Sequence, residues 1–96
     1  MIFLVTRVPS AEWDLTQPMN GQHLWAEHAA FMNALEHDRF ILMGGPVGDA
    51  SKFVFAVQAD SEDAVRARLS ADPWEPMSLL KTDTVERWQL VLGEIR

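Results

Sequence analysis

Cysteine is absent from the 96-residue chain, which excludes disulfides, thiolate catalysis and cysteine-based zinc sites. Its absence also fits a reducing compartment. Basic residues are few and form no cluster: 8 Lys and Arg stand against 14 Asp and Glu, for a net charge of −6. A protein of this charge is a poor candidate for binding nucleic acid or an anionic membrane.

Long hydrophobic runs are also lacking. The first ten residues, MIFLVTRVPS, are apolar over only about five positions and no basic region precedes them, so they are too short for a signal peptide or a membrane span. We therefore expect a cytoplasmic protein. The chain has no repeats, linkers or low-complexity tracts, and we expect one domain over residues 1–96.

The pattern of apolar and turn-forming residues predicts the order β-α-β-β-α-β. The predicted strands are Ile2–Val8, Arg39–Met43, Lys52–Ala59 and Thr84–Leu92, with 78–81 as a possible edge segment, and the predicted helices are 22–38 and 62–71. Gly44-Gly45-Pro46 should end the second strand, and Asp72-Pro73 should end the second helix. This order predicts an α+β, ferredoxin-like fold, with an antiparallel four-stranded sheet and both helices on one face.

The predicted strands are apolar at consecutive positions, as in Ile2–Val5 and Phe53–Val57, so both faces of the sheet need cover. Two helices can cover only one face. The other face would be a large exposed apolar patch unless a second subunit packs on it. We therefore predict a homodimer joined sheet to sheet.

His28 is the first candidate functional residue. It shares one stripe of the predicted first helix with Phe31 and Leu35, so it should face the sheet or a cavity beside it. A histidine in this position is either a core residue bonded to a backbone carbonyl or a general acid/base.

Asp72 is the second candidate. At the C-terminal end of a helix its carboxylate opposes the helix dipole by roughly 0.3–1 kcal/mol, which suggests a compensating partner. An Asx-type turn at Asp72-Pro73 is the alternative. Because both helices should lie on the same sheet face, the Asp72 carboxylate could reach His28 and raise its basicity.

Two segments together resemble the YciI-like (YCII-related) family: WAEHAAFMNALEHDRFILMGGPVGD (25–49) and ADSEDAVRARLSADPW (59–74). The shared features are a histidine on a helix, a strand with Gly-Pro eighteen residues later, and Asp-Pro-aromatic after the second helix. The Trp13-Asp14 pair in the first long loop also matches. The resemblance covers nearly the whole chain.

The resemblance implies a dimeric α/β barrel of ferredoxin-like subunits and a site built on His28 and Asp72. Some members of the family dehydrochlorinate chlorinated aromatic compounds, and the wider fold group includes lactone isomerases and monooxygenases. The chain departs from the family at His37-Asp38 and at 75–78, where members often have glycine. A substrate is therefore not carried over from a relative.

Trp13, Asp14 and Trp74 flank the predicted pocket. The tryptophans either belong to the core and a dimer interface or form an aromatic wall for a ligand. A metal site is not predicted, because His23 and His28 lie about 140° apart around a helix and cannot chelate one ion. The glycines of Gly44-Gly45-Pro46 do not form a phosphate loop, and no cofactor is predicted.

These observations predict a small-molecule enzyme of the lyase or isomerase type that works by proton transfer. His28 would be the acid/base, and Asp72 would orient it and stabilise its protonated form. Trp13, Asp14 and Trp74 would enclose a small apolar or aromatic substrate. The alternatives are a non-catalytic ligand-binding or regulatory dimer with the same pocket, and a stable dimer without a significant pocket.

Overall fold

Four strands and two α-helices lie along residues 1–93, the part of the chain that the computed structural model describes. Residues 94–96 of the predicted domain lie outside it. The elements are β1 (Ile2–Pro9), α1 (Trp25–His37), β2 (Ile41–Val47), β3 (Lys52–Gln58), α2 (Glu62–Leu69) and β4 (Leu80–Arg87). A short 3-10 turn, Met19–Gly21, lies in the loop between β1 and α1.

The sheet is antiparallel with strand order β2-β3-β1-β4. This arrangement confirms the predicted ferredoxin-like α+β fold. Both helices pack on one sheet face, and the core between them contains residues of α1, α2 and three strands: Phe3, Val5, Leu35, Phe40, Ile41, Val57, Val65 and Leu69. Along β1 the buried residues alternate with less buried ones, as expected for a strand with one face on a core.

β2 does not end at Gly44-Gly45-Pro46, as the sequence predicted, but continues to Val47. A Cβ atom at Gly44 would collide with the Phe55 ring and lie 2.8 Å from the Val54 carbonyl oxygen. Glycine therefore allows β2 and β3 to approach each other. Proline is tolerated because β2 is an edge strand, where a missing N–H need not remove a ladder hydrogen bond.

The bounds predicted for the last strand, Thr84–Leu92, are wrong, because β4 spans Leu80–Arg87. Its limits are those of its partner, because β1 pairs with β4 from Pro9 opposite Leu80 to Phe3 opposite Arg87. Trp88 donates one further backbone hydrogen bond to Ile2. Beyond that point β1 offers no more backbone to pair with.

The helices are shorter than predicted. α1 begins at Trp25 because Leu24 has a left-handed backbone, φ 60°, which an α-helix cannot contain. Ser61 caps α2 by accepting a hydrogen bond from the Ala64 N–H, and α2 ends at Leu69 rather than Ala71. Neither helix in the described part of the chain has the length and apolar character needed to cross a membrane.

The sheet face opposite the helices is apolar and partly exposed. Met43 is 56% exposed, and Leu4 and Val54 on the neighbouring strands are half-buried. The pairing of Leu4 with Ala56 and of Met43 with the same residue places these side chains on one face. Sheet-to-sheet dimerisation through this face stays a prediction, as does the cytoplasmic location.

Candidate active site

His28 lies in the first turn of α1 with only 6% of its surface exposed. Its Nδ1 is 2.9 Å from Oδ1 and 2.8 Å from Oδ2 of Asp72. The imidazole lies flat on the indole of Trp74, with ring centroids 3.6 Å apart and planes 5° apart. The carboxylate and the indole together fix both the position and the plane of the ring.

Asp72 is fully buried in the turn that follows α2. Its N–H donates to the Leu69 carbonyl, and its Oδ1 accepts a hydrogen bond of 2.9 Å from the Trp74 N–H. Both sequence interpretations therefore apply at once, because Asp72 makes an Asx-type turn and also contacts His28. The turn directs the carboxylate towards α1. The packing of both helices on one sheet face thus brings together two residues that are 44 positions apart in the sequence.

The pKa of the Asp72 carboxyl lies below its ordinary value. Burial alone would raise this pKa, but several contacts outweigh burial: the hydrogen bonds from His28 and from the Trp74 backbone, and then the charges of Arg7 and His28. Asp72 is therefore an ionised carboxylate in the folded protein at neutral pH. An ionised carboxylate is an acceptor only, so Nδ1 of His28 carries the proton.

Arg7 is the member of this group that the sequence reasoning missed. It is fully buried on β1, and its Nη1 lies 2.9 Å from Asp72 Oδ2. The sequence contained one signal: strand alternation places Arg7 on the inward face with Phe3 and Val5, where a charged residue needs a partner. The apolar start of the chain, read as a strand buried on both faces, concealed this signal.

Glu75 lies near the same guanidinium, with Oε1 3.8 Å from Arg7 Nη2. Its pKa is raised, first by burial and also by the negative charge of Asp72, although the Arg7 charge acts in the opposite direction. The two carboxylates thus share one arginine, and Asp72 has the shorter contact.

A cavity of about 360 Å³ opens beside His28. Its walls come from α1, from β2 and β3, from the Met19 turn, from the turn after α2 and from the start of β4: Met19, Trp25, His28, Ala29, Met32, Asn33, Gly44, Gly45, Pro46, Phe53, Phe55, Trp74 and Leu80. His28 is the titratable side chain in this set. Within the described residues the hydrogen bonds of the His28 ring are those of Nδ1, so a lone pair on Nε2 is available to a ligand.

Of the residues predicted to bind substrate, Trp74 borders the cavity, but it is fully buried and its Nε1 donates to the His23 carbonyl at 2.6 Å. Trp13 does not line the cavity. It packs edge-on against Trp74, with ring centroids 5.5 Å apart. Its ring is also tilted against that of Phe53, with centroids 6.0 Å apart. The core interpretation therefore describes Trp13, whereas Trp74 lies between the core and the cavity.

The structure does not bring Asp14 to the cavity. Its side chain is exposed and accepts hydrogen bonds from the backbone and hydroxyl of Thr16, and these bonds lower its pKa. Its backbone is fixed by Gln22, whose side chain bonds both its N–H and its carbonyl. Asp14 thus shapes the loop, and its carboxylate is not part of the cavity wall.

A metal centre has no support in the described part of the chain, where no group of three histidine or acidic side chains could hold an ion. His28 and Asp72 contact each other directly. This pair lies at the edge of an apolar cavity, and a histidine and a carboxylate in contact are groups that can transfer a proton.

No protein-family model matches the chain, and no curated protein matches it. Among solved structures it is similar to the 5-chloro-2-hydroxyhydroquinone dehydrochlorinase TftG from Burkholderia phenoliruptrix AC1100, in its complex with 2,5-dihydroxybenzoquinone. The two chains share 26% identity with a TM-score of 0.62, over 93% of this chain and 94% of that one. The similar protein is a lyase-type enzyme.

Proposed function

We propose that this protein is a cofactor-independent lyase of the YciI-like type, which eliminates a halide from a small hydroxylated aromatic compound. One observation supports the proposal: the ionised Asp72 contacts Nδ1 of His28, and His28 lines an apolar cavity. Similarity to a dehydrochlorinase over almost the full length of both chains supports the same reaction type.

His28 acts as the base in this proposal. Because Asp72 accepts from Nδ1, the lone pair lies on Nε2 and can take a proton from a substrate bound in the cavity. The imidazolium that forms lies 2.8 Å from the carboxylate and parallel to the Trp74 indole. Both contacts favour a positive ring, so they stabilise the charge that develops during proton transfer.

The elimination balances without a cofactor. The ring hydroxyl next to the halogen-bearing carbon first passes its proton to that carbon, which gives a keto tautomer. Nε2 then takes the proton of the hydroxyl para to the new carbonyl. The O–H electron pair forms a second carbonyl, and the adjacent ring double bond shifts to the halogen-bearing carbon. The carbon–halogen bond breaks and its electron pair leaves with the halide. His28 then loses its proton to water, so that the net product is one hydrogen halide. An isomerase would instead return the proton to a different atom of the same molecule.

The cavity favours an uncharged, planar substrate. Its wall is built mainly of aromatic and aliphatic groups, including Trp25, Phe53 and Pro46, and none of the lining side chains in residues 1–93 is a lysine or arginine. Its volume lies at the lower end of the range for small-molecule sites. A carboxylate or phosphate on the substrate would be desolvated here without a cationic partner.

We also propose that two copies pair through the sheet face opposite the helices, as in a dimeric α/β barrel. The exposed Met43 and the half-buried Leu4 support this arrangement. Sedimentation should find a dimer at micromolar concentration for the wild type and a monomer for Leu4→Glu. Leu15→Glu, at a position 93% exposed in a distant loop, is the matched control and should stay dimeric.

The catalytic proposal is tested by halide release from chlorinated hydroquinones, with chlorinated benzoates as charged counterparts. Wild-type protein should release chloride from the uncharged compounds, and His28→Gln should reduce kcat by on the order of 10²–10⁴-fold. Calorimetric titration with 2,5-dihydroxybenzoquinone distinguishes the proposed lyase from a non-catalytic ligand-binding protein. Binding without turnover of any compound, equal in the wild type and His28→Gln, would support a non-catalytic binding protein instead.

A further inference from the structure

Arg7 contacts the candidate site mainly at Asp72, and more weakly at the cavity-lining Met32. Its Nη1 is 2.9 Å from Oδ2 of Asp72, and the same oxygen is 2.8 Å from Nδ1 of His28. Arg7 does not line the cavity. A single carboxylate oxygen is therefore shared between a permanent cation and the imidazole that borders the cavity.

The buried ion pair of Arg7 with Asp72 is weak evidence that this arginine is present for stability. Arg7 is 0% exposed, and its Nε and Nη2 have no hydrogen-bond acceptor among the described residues. Its other contacts are Met32 Sδ at 3.8 Å and Glu75 Oε1, also at 3.8 Å, both weak. Replacing a buried ion pair by well-packed apolar groups is often neutral or stabilising, and Phe3 and Val5 already occupy this face of β1.

The backbone around Arg7 is also irregular. The pairing of β1 with β4 shifts register between Thr6 and Arg7, from Thr84 opposite Thr6 to Thr82 opposite Arg7. Such irregularities re-aim side chains and occur frequently beside active sites. The shift lies at the one position of β1 whose side chain reaches the Asp72 carboxylate.

We propose that Arg7 is a positioning residue that shares the negative charge of Asp72 with His28, so that Asp72 stabilises the imidazolium less than it would alone. The carboxylate stays ionised and oriented, but its negative charge interacts with two partners, the guanidinium of Arg7 and the imidazole of His28. The charged groups on this side of His28 are Asp72, Arg7 behind it, and Glu75. The cavity-lining residues of β2 and β3 add no titratable side chain.

The test is an NMR titration of ¹⁵N-histidine-labelled protein, which is feasible because the chain has three histidines and His28→Gln assigns the signal. Arg7→Met removes the cation, and protonation of His28 should move to higher pH by about 1 unit or more. Arg7→Gln, which keeps a hydrogen-bond donor for Oδ2, should shift the protonation of His28 in the same direction. It provides the test if Arg7→Met does not fold. Arg7→Lys should restore behaviour close to wild type.

Arg68→Met is the matched control, because Arg68 pairs with Asp38 at the surface, at a distance of 3.3 Å. This substitution should leave the protonation of His28 unchanged. The proposal is overturned if folded Arg7→Gln titrates at His28 as the wild type does. The catalytic consequence rests on the proposed function: chloride release by Arg7→Gln should fall about tenfold more at pH 6 than at pH 9, because protonated His28 cannot act as the base. A shifted titration without turnover in any variant would uphold the role of Arg7 and reject the lyase.

Discussion

The indole of Trp74 lies parallel to the imidazole of His28, with centroids 3.6 Å apart and an interplanar angle of 5°. The same indole is held by a hydrogen bond from Nε1 to the His23 carbonyl. The backbone N–H of Trp74 donates a hydrogen bond to Oδ1 of Asp72. One residue therefore fixes the plane of the proposed base and the position of the carboxylate that orients it.

Trp74→Phe keeps an aromatic face for His28 but removes the Nε1 donor and part of the buried volume. We expect a loss of about 1–3 kcal/mol in the free energy of unfolding and a small effect on kcat. Trp74→Leu also removes the stacking, so kcat should fall at least about tenfold below that of Trp74→Phe. Urea unfolding and chloride-release kinetics check this. Equal kcat values for the two folded variants would reject the stacking role.

Asp72→Asn tests the orientation of the imidazole. The amide can still accept from the Trp74 N–H, but its NH₂ group can donate to Nδ1 and so favour the tautomer with the proton on Nε2. We expect kcat to fall on the order of 10²–10⁴-fold, and ¹⁵N chemical shifts should report the tautomer. Asp60→Asn, at an exposed position, is the control. Full activity in Asp72→Asn would contradict the assigned role.

Stability at acid pH should depend on Asp72. Its pKa in the folded protein lies below the ordinary value of 3.8, so its contribution to folding is complete above that value and is lost as pH falls through the lower folded pKa. Urea unfolding between pH 5 and pH 2 should show a decline that is smaller in Asp72→Asn than in Asp60→Asn. Parallel curves for the two variants would refute this assignment.

Glu75 should act in the opposite direction. Its raised pKa means that the folded protein binds a proton at a higher pH than the unfolded chain does, so its ionised form disfavours folding. Stability should therefore rise slightly as pH falls towards the ordinary value of 4.5, before the Asp72 contribution is lost. Glu75→Gln should abolish this rise, and its persistence would contradict the expected linkage.

Gly44 and Gly45 offer a matched pair at neighbouring positions of β2. A Cβ at Gly44 would meet the Phe55 ring and the Val54 carbonyl, whereas a Cβ at Gly45 would meet nothing within 4 Å. Gly44→Ala should cost about 1–3 kcal/mol, while Gly45→Ala should lie within about 0.5 kcal/mol of wild type. Thermal unfolding at equal protein concentration measures both. Equal losses would contradict the close approach of β2 and β3.

The contact between His28 and Asp72 was predictable because it follows from two general rules. Helical periodicity placed His28 on the inward stripe with Phe31 and Leu35, and right-handed crossovers placed both helices on one sheet face. Their 2.8 Å contact then required only that the Asp72 turn face α1. The fold class followed from the same element order.

The remaining features depend on tertiary partners that local patterns do not contain. The start of β4 at Leu80 depends on Pro9 opposite it, and β2 continues through Pro46 because it is an edge strand. Arg7 was missed because its partner lies 65 residues away. Asp14 was placed at the pocket because the Trp13-Asp14 pair resembles the family, but its carboxylate is exposed and accepts hydrogen bonds from Thr16.

The most direct test is a crystal structure of this protein with 2,5-dihydroxybenzoquinone. We predict that the ring lies in the cavity between Trp25 and Pro46, with one substituent atom about 3 Å from Nε2 of His28 and Nδ1 still on Asp72. A ligand bound outside this cavity, or a His28 whose Nε2 is bonded to a protein group, would contradict the account.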